Sequence, residues 1–152
     1  MKKENMNNKG FSLVELIIVI AIMAILIVVL APQYLKYVER SRNSTDMQNA
    51  RTLMTAVETY AADPQATKAM LSNETFEIAI TGTAGSVSTD VASGAVAQAI
   101  TDAGLKVDDI KCSSKTKWSE YTIKGKVESH GGITWSFTST PTDAFQDAMQ
   151  GK

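Results

Sequence analysis

The chain is poor in the residues that usually announce chemistry. Among 152 residues it has one cysteine, one histidine and three prolines. Cys112 alone excludes an intramolecular disulfide and any cysteine-rich zinc site. His130 alone removes most catalytic constellations, and its neighbours Gly131 and Gly132 make it read as a hairpin-turn residue. An excess of charge is also missing. Fifteen Lys and Arg against 16 Asp and Glu give a formal net charge of −1, so no overall basic field exists for nucleic acid. There is no Walker loop, no GxGxxG and no internal repeat. Asp108-Asp109 lacks the spacing of an EF-hand loop and reads as a solvated turn. The length suits one domain with an appendage, not two full domains.

What the chain does have is one long apolar run. Phe11 to Ala31 carries 19 apolar residues in 21 positions, and Leu16 to Ala31 is unbroken. The other 131 positions hold 48 apolar residues, a lean share for a globular domain. As a helix the run spans about 31 Å, the thickness of a bilayer core. A core helix of this length normally keeps a polar face, and this one has none, so membrane insertion is expected. A secretory signal would also begin with basic residues, here Lys2, Lys3 and Lys9. Its apolar core would be shorter, however, and followed by a small-x-small site rather than Pro32-Gln33-Tyr34. The segment is therefore expected to persist in the mature chain. Flanking charge leaves the orientation open: Lys2, Lys3 and Lys9 lie before it, Lys36, Arg40 and Arg42 after it.

Glu15 is the one charge between Phe11 and Lys36. It reads either as an interfacial residue favoured by the helix N-terminus or as an intramembrane carboxylate that needs a cation. No Lys or Arg lies within a turn of it. An amine created by cutting before Phe11 could serve, from the same chain or a neighbour.

The stretch Lys9-Gly10-Phe11-Ser12-Leu13-Val14-Glu15-Leu16, with the apolar run behind it, resembles the start of a type IV prepilin with a class III leader. The resemblance covers about residues 9–40. It implies cleavage between Gly10 and Phe11 by a prepilin peptidase in the cytoplasm, then N-methylation of Phe11. It also implies that Glu15 pairs with the Phe11 amine of an adjacent subunit during assembly. The N-terminus would lie inside. A single-pass precursor in the cytoplasmic membrane would pass into an extracellular pilus. The partners implied are copies of the chain itself, the peptidase, and an assembly platform with motor ATPases. No cofactor and no enzymatic activity are implied. Removing residues 1–10 would leave a side-chain charge of −3.

Pro32 removes the helical partner of the Val28 carbonyl. It is read as a kink rather than an end, because periodicity resumes beyond it. Leu35, Val38, Met47, Ala50, Leu53, Met54, Val57, Tyr60 and Ala61 recur at three and four. Glu39, Arg40, Arg42, Asp46, Gln48, Asn49 and Glu58 are expected on the opposite, solvated surface. Asp63-Pro64 stops the helix. The organisation expected is thus 1–10 leader, 11–31 membrane or filament-core helix, 32–62 amphipathic continuation and 63–152 extracytoplasmic head.

In the head, Asp63-Pro64 is expected to open a short helix to about Leu71. Thr75–Thr81 alternates as a strand, Gly82–Ser86 reads as a loop, and Thr89/Asp90 cap a helix to Ala103 with Gly104 as its C′ residue. Tyr121–Val127 and Ile133–Phe137 form a β-hairpin, with Trp118 and Trp135 as core aromatics. Residues 142–150 form a terminal helix. The fold class expected is α+β, a long helix on a small antiparallel sheet, as in the pilin fold.

Other signals are weak. Lys106, Lys111, Lys115, Lys117, Lys124 and Lys126 read as a solvated sheet face interleaved with acids, with a phosphate-binding stripe as the alternative. Cys112 reads as a small apolar filler, and a Cys112–His130 nucleophile pair has no local support. Its lack of a partner departs from pilins that close a C-terminal loop with a disulfide, which hints at a Gram-positive source. Asn43-Ser44-Thr45 and Asn73-Glu74-Thr75 match the glycosylation sequon. The functional expectation is a structural subunit of a type IV pilus, serving adhesion, twitching motility or biofilm formation. The alternatives are a pseudopilin of a secretion or competence system and a membrane-tethered extracytoplasmic domain.

Overall fold

The computed structural model describes residues 10–66, 73–89 and 94–152. Its first element is α1, Leu13–Ala62, a single helix that passes through Pro32 without interruption. It begins where the sequence supplies a cap and ends at Ala62, just before Asp63-Pro64 and two residues beyond its last buried residue, Tyr60. The chain divides into two compact units, one ending at Val38 and one running from Glu39 to Lys152.

In the first unit every described residue from Gly10 to Tyr37 is exposed. The side chains from Leu13 to Leu30 present apolar surface on all sides of the helix. By length and composition this helix can cross a membrane.

The second unit is an α+β domain. Strands β1 (Thr75–Ile80), β2 (Gly85–Thr89), β3 (Glu120–Val127) and β4 (Ile133–Thr140) form one antiparallel sheet in the order β2-β1-β3-β4. Period-two alternation turns Phe76, Ile78, Ile80, Tyr121, Ile123, Val127 and Phe137 inward. They meet Ala50, Leu53, Val57 and Tyr60 of α1. The long helix therefore packs on the sheet through its residues beyond Glu39. Helix α2 (Ala95–Asp102) adds Ala95, Val96, Ala99 and Ile100 to the core. Helix α3 (Ala144–Gln150) adds Phe145, whose ring stacks on Tyr121 at 4.1 Å and meets Trp118 edge-on at 5.1 Å.

Gly104 closes α2 as expected. Its φ is +74°, its amide donates to the Thr101 carbonyl, and the Leu105 amide donates to the Ile100 carbonyl. This pair of bonds is the Schellman arrangement, which needs a left-handed residue at that point. Gly125 is required for a different reason. It lies opposite Phe76 on one side and Trp135 on the other. Those two rings meet edge-to-face at 5.6 Å, and a Cβ at Gly125 would run into the Phe76 ring at Cζ.

The structure corrects several expectations. Gly85–Thr89 is a strand paired with β1, and only Gly82-Thr83 remains a bend, so the loop is a tight hairpin. Pairing to the β1 backbone makes this strand, since Val87 is its one large apolar residue. Trp135 is half-buried rather than central: it covers Phe76, and its Nε1 donates to Glu58 Oε1 at 2.7 Å. Ala61 and Ala103 are exposed. At Asp63-Pro64 there is a turn, with Asp63 Oδ1 accepting from the Gln65 amide. The remainder of the helix expected to Leu71 falls partly outside the described residues, as does the cap at Asp90; Thr89, the other cap expected, instead ends β2, where it pairs with Phe76, and α2 begins at Ala95. Asn43 is buried, which removes the first sequon from the surface.

Candidate assembly site and the carboxylate clasp

The N-terminal candidates, Gly10, Phe11 and Glu15, lie around the first turn of α1. Gly10 and Phe11 precede the helix, and Phe11 is 94% exposed. Ser12 occupies the N-cap position, and Glu15 is three residues later. The Ser12 amide donates to Glu15 Oε2 at 2.9 Å. This is half of a capping box, in which the third helical residue satisfies the amide of the cap. From sequence, Glu15 reads either as an interfacial residue favoured by the helix N-terminus or as a carboxylate with no Lys or Arg within a turn; its partner here is a backbone amide. The signal for that partner is in the sequence: Ser-x-x-Glu before an apolar run is the pattern of that box. Glu15 thus has one oxygen fixed by its own backbone, on the side of the helix start where Phe11 lies in sequence.

The second polar cluster joins α1 to the segment before β3. Asp46 is completely buried. Its Oδ1 accepts from the Ser113 amide at 2.7 Å, and its Oδ2 from the Ser114 amide at 2.9 Å and Trp118 Nε1 at 2.8 Å. The Cys112 thiol also faces Oδ2, at 3.6 Å. Two turns earlier, Glu39 Oε1 accepts from the Ser114 hydroxyl at 2.9 Å and the Lys115 and Thr116 amides at 2.7 and 2.8 Å. Together the carboxylates clasp residues 112–118 to the helix. A loop folded against a helix must find acceptors for its amides, and two acids on one face supply them.

This overturns the expectation that Glu39 and Asp46 lie on the solvated face. Helical spacing places Glu39, Asn43, Asp46, Ala50 and Leu53 on one side, and that side meets the head. Electrostatics follow the geometry. Burial alone would raise the Glu39 carboxyl, but the Lys115 and Thr116 amides and the Ser114 and Thr116 hydroxyls outweigh it and hold it at about 2. Burial, and then the neighbouring Asp46, push the Cys112 thiol up to about 12. The Tyr121 phenol, whose hydroxyl donates to the Asp46 carbonyl at 3.4 Å, is also pushed up, first by burial and then by Asp46. A thiol so held is a poor nucleophile. His130 lies exposed in the β3–β4 turn, within reach of Ser129 Oγ, and is not brought to Cys112.

Among the described residues no group of three or more His, Cys, Asp or Glu side chains could hold a metal ion. A groove of about 550 Å³ runs between the last turns of α1 and α2, lined by Arg51, Thr52, Thr55, Thr59, Asp63 and Asp102 among others. It gathers no nucleophile–base pair. Asp108 and Asp109 sit exposed in a 3-10 turn, as expected.

The family model of the prokaryotic N-terminal methylation motif matches residues 5–31. What the chain resembles is a type IV pilin. It is 46% identical over 55 residues to a type IV major fimbrial protein FimA of Dichelobacter nodosus, covering 36% of this chain and 35% of that one. It is 37% identical over 59 residues to the type IV major pilin protein PilA of Myxococcus xanthus, covering 39% of this chain and 27% of that one. The chain therefore spans about a third, or less, of the length of the pilins it matches. No solved structure matches it.

Proposed function

We propose that this chain is a structural subunit of a type IV pilus, made as a membrane-inserted precursor. The observation that carries the reading is the junction Lys9-Gly10-Phe11 with Glu15, inside a matched methylation motif and ahead of an apolar helix with no polar face. Cleavage after Gly10 creates an amine at Phe11, which becomes N-methylated. Glu15 Oε2 is held by the Ser12 amide. The second carboxylate oxygen takes the Phe11 amine of the adjoining subunit and sets the register of assembly. The apolar surface of Phe11–Ala31 is lipid-facing before assembly and neighbour-facing afterwards, which satisfies it in both states. Pro32 is the point of flexure. The N-terminus lies in the cytoplasm, and a peptidase, an assembly platform and motor ATPases act on the chain. The subunit itself performs no reaction; the filament serves adhesion, twitching or biofilm formation. The Gram-positive origin suggested by an unpaired Cys112 gains no support from the relatives named above.

Two measurements test this. Mass spectrometry of the mature chain should find methylated Phe11 as its first residue; an uncut Met1 would overturn the reading in favour of a tethered domain. Glu15→Ala should be lost from sheared surface filaments while the head keeps its melting behaviour. Normal filaments from that variant would sink the pairing.

A further inference from the structure

Strand β4 ends the sheet on one side, and among the described residues no other strand pairs with its outer edge. Its register with β3 runs unbroken from Ile133 to Thr140, without a bulge. A free edge offers a row of amides and carbonyls to a further strand, and proteins usually guard it with charge, proline, a bulge, shortness or a cover. The opposite edge is guarded. Strand β2 has five residues against eight in β4, and the 3-10 turn Val107–Asp109 packs against it. Strand β4 has no charged residue, and Pro141 comes only after its last residue. Acids reach it from its own sheet and helix alone: Glu128 accepts from Thr134, Glu120 from Thr140 and Glu58 from Trp135. Helix α3 lies under its inner face, where Phe145 meets Phe137 at 6.0 Å.

The middle of this strand also has the same chemistry in both directions. Thr134-Trp135-Ser136-Phe137-Thr138 runs hydroxyl, aromatic, hydroxyl, aromatic, hydroxyl about Ser136. The three hydroxyl residues are exposed on the outer face, while Phe137 is buried and Trp135 half-buried on the inner one. We infer that β4 pairs antiparallel with β4 of a second copy, with Ser136 opposite Ser136 and Thr134 opposite Thr138. Turned about a two-fold axis at Ser136, the strand meets itself in the pairs that sheets favour: hydroxyl beside hydroxyl outside, Trp135 beside Phe137 inside. No like charges are brought together along it. The same axis carries α3, under the Phe137 end of one strand, to the other end of the joint in the second copy, so the two helices do not compete for one place. The contact joins two four-stranded sheets into one. Being isologous, it closes on two copies and does not propagate a filament, so it is a contact additional to assembly through Phe11 and Glu15.

The test uses the full chain in detergent, with cysteines placed on the outer face of β4 and oxidised by copper phenanthroline; the native Cys112 is buried. Opposed residues of an antiparallel pair have Cα atoms about 4.5–5.5 Å apart, within disulfide reach. Ser136→Cys should therefore give a linked dimer about fivefold faster than Thr138→Cys, which faces Thr134 of the second copy. Mixing Thr134→Cys chains with Thr138→Cys chains should restore the fast rate. Equal rates for every single variant, the result if apolar segments alone bring the chains together, overturn the pairing. Charge gives a second readout. In the Ser136→Cys chain, Thr134→Lys with Thr138→Lys opposes like charges and should slow linking about fivefold, whereas Thr134→Glu with Thr138→Lys opposes unlike charges and should restore it. An unchanged rate in the first, or an equal loss in both, overturns the register and the proposal with it. Linking of Ser136→Cys in whole cells to a different polypeptide, with no linked dimer, overturns it in favour of a foreign strand.

Discussion

Residues 10–38 and 39–152 treat apolar surface in opposite ways. Before Val38, Leu, Ile and Val side chains stand exposed on every side of α1. After Glu39 the same helix hides Ala50, Leu53 and Val57 completely and turns its remaining surface to water. One secondary structure thus serves two solvents. In the first unit that surface is satisfied only by apolar surroundings outside the unit. In the second the sheet supplies them. The polar residues follow the same division. Glu15 finds its partner locally, three residues away, whereas Asp46 finds its partners 67 to 72 residues away.

The largest break in that comparison should come from Asp46→Ala. It strands the Ser113 and Ser114 amides and Trp118 Nε1 in the core, so the head should lose more than about 3 kcal/mol. Denaturant unfolding of the detergent-solubilised chain, followed by Trp fluorescence, checks it; membrane partitioning should be unchanged. Gly125→Val should follow, at about 1–3 kcal/mol, because its side chain would enter the Phe76 ring. An unchanged melting temperature would mean that the Phe76–Trp135 pair can part without loss.

Glu39 sharpens the comparison through pH. Its folded carboxyl is lowered from 4.5 to about 2. Its contribution is therefore fully present above about pH 4.5 and lost as pH falls towards 2. Glu39→Gln should flatten the acid limb of a stability–pH curve across that window; an identical limb would refute the clasp's charge. The smallest effect should be Asn43→Leu. Among the described residues the buried Asn43 Oδ1 has no hydrogen-bond partner. Replacing it should be neutral or stabilise the head by up to about 1 kcal/mol, read as a thermal shift.

Much of this fold was legible along the chain. The apolar run, the periodicity to Tyr60, the β3–β4 hairpin and the Gly104 stop are local patterns, and α1, β3, β4 and α2 follow them. What escaped depended on distant partners. Strand β2 has only Val87 as a large apolar residue and exists because β1 offers a backbone to pair with. Asp46 shares the helical face of Ala50 and Leu53, yet its type suggested water; only a loop with unpaired amides makes burial tolerable. The Ser12–Glu15 box is local, and its Ser-x-x-Glu spacing ahead of an apolar run is legible in the sequence.

Cys112 has a practical consequence. The chain's one thiol is buried and held far from its reactive form. Thiol-directed dyes should therefore leave the folded protein dark. A cysteine introduced on the exposed strand residues, at Thr138 for example, would be the single addressable position on each subunit. The otherwise unaltered chain could then be followed by light microscopy, one label per copy, without first removing the native cysteine.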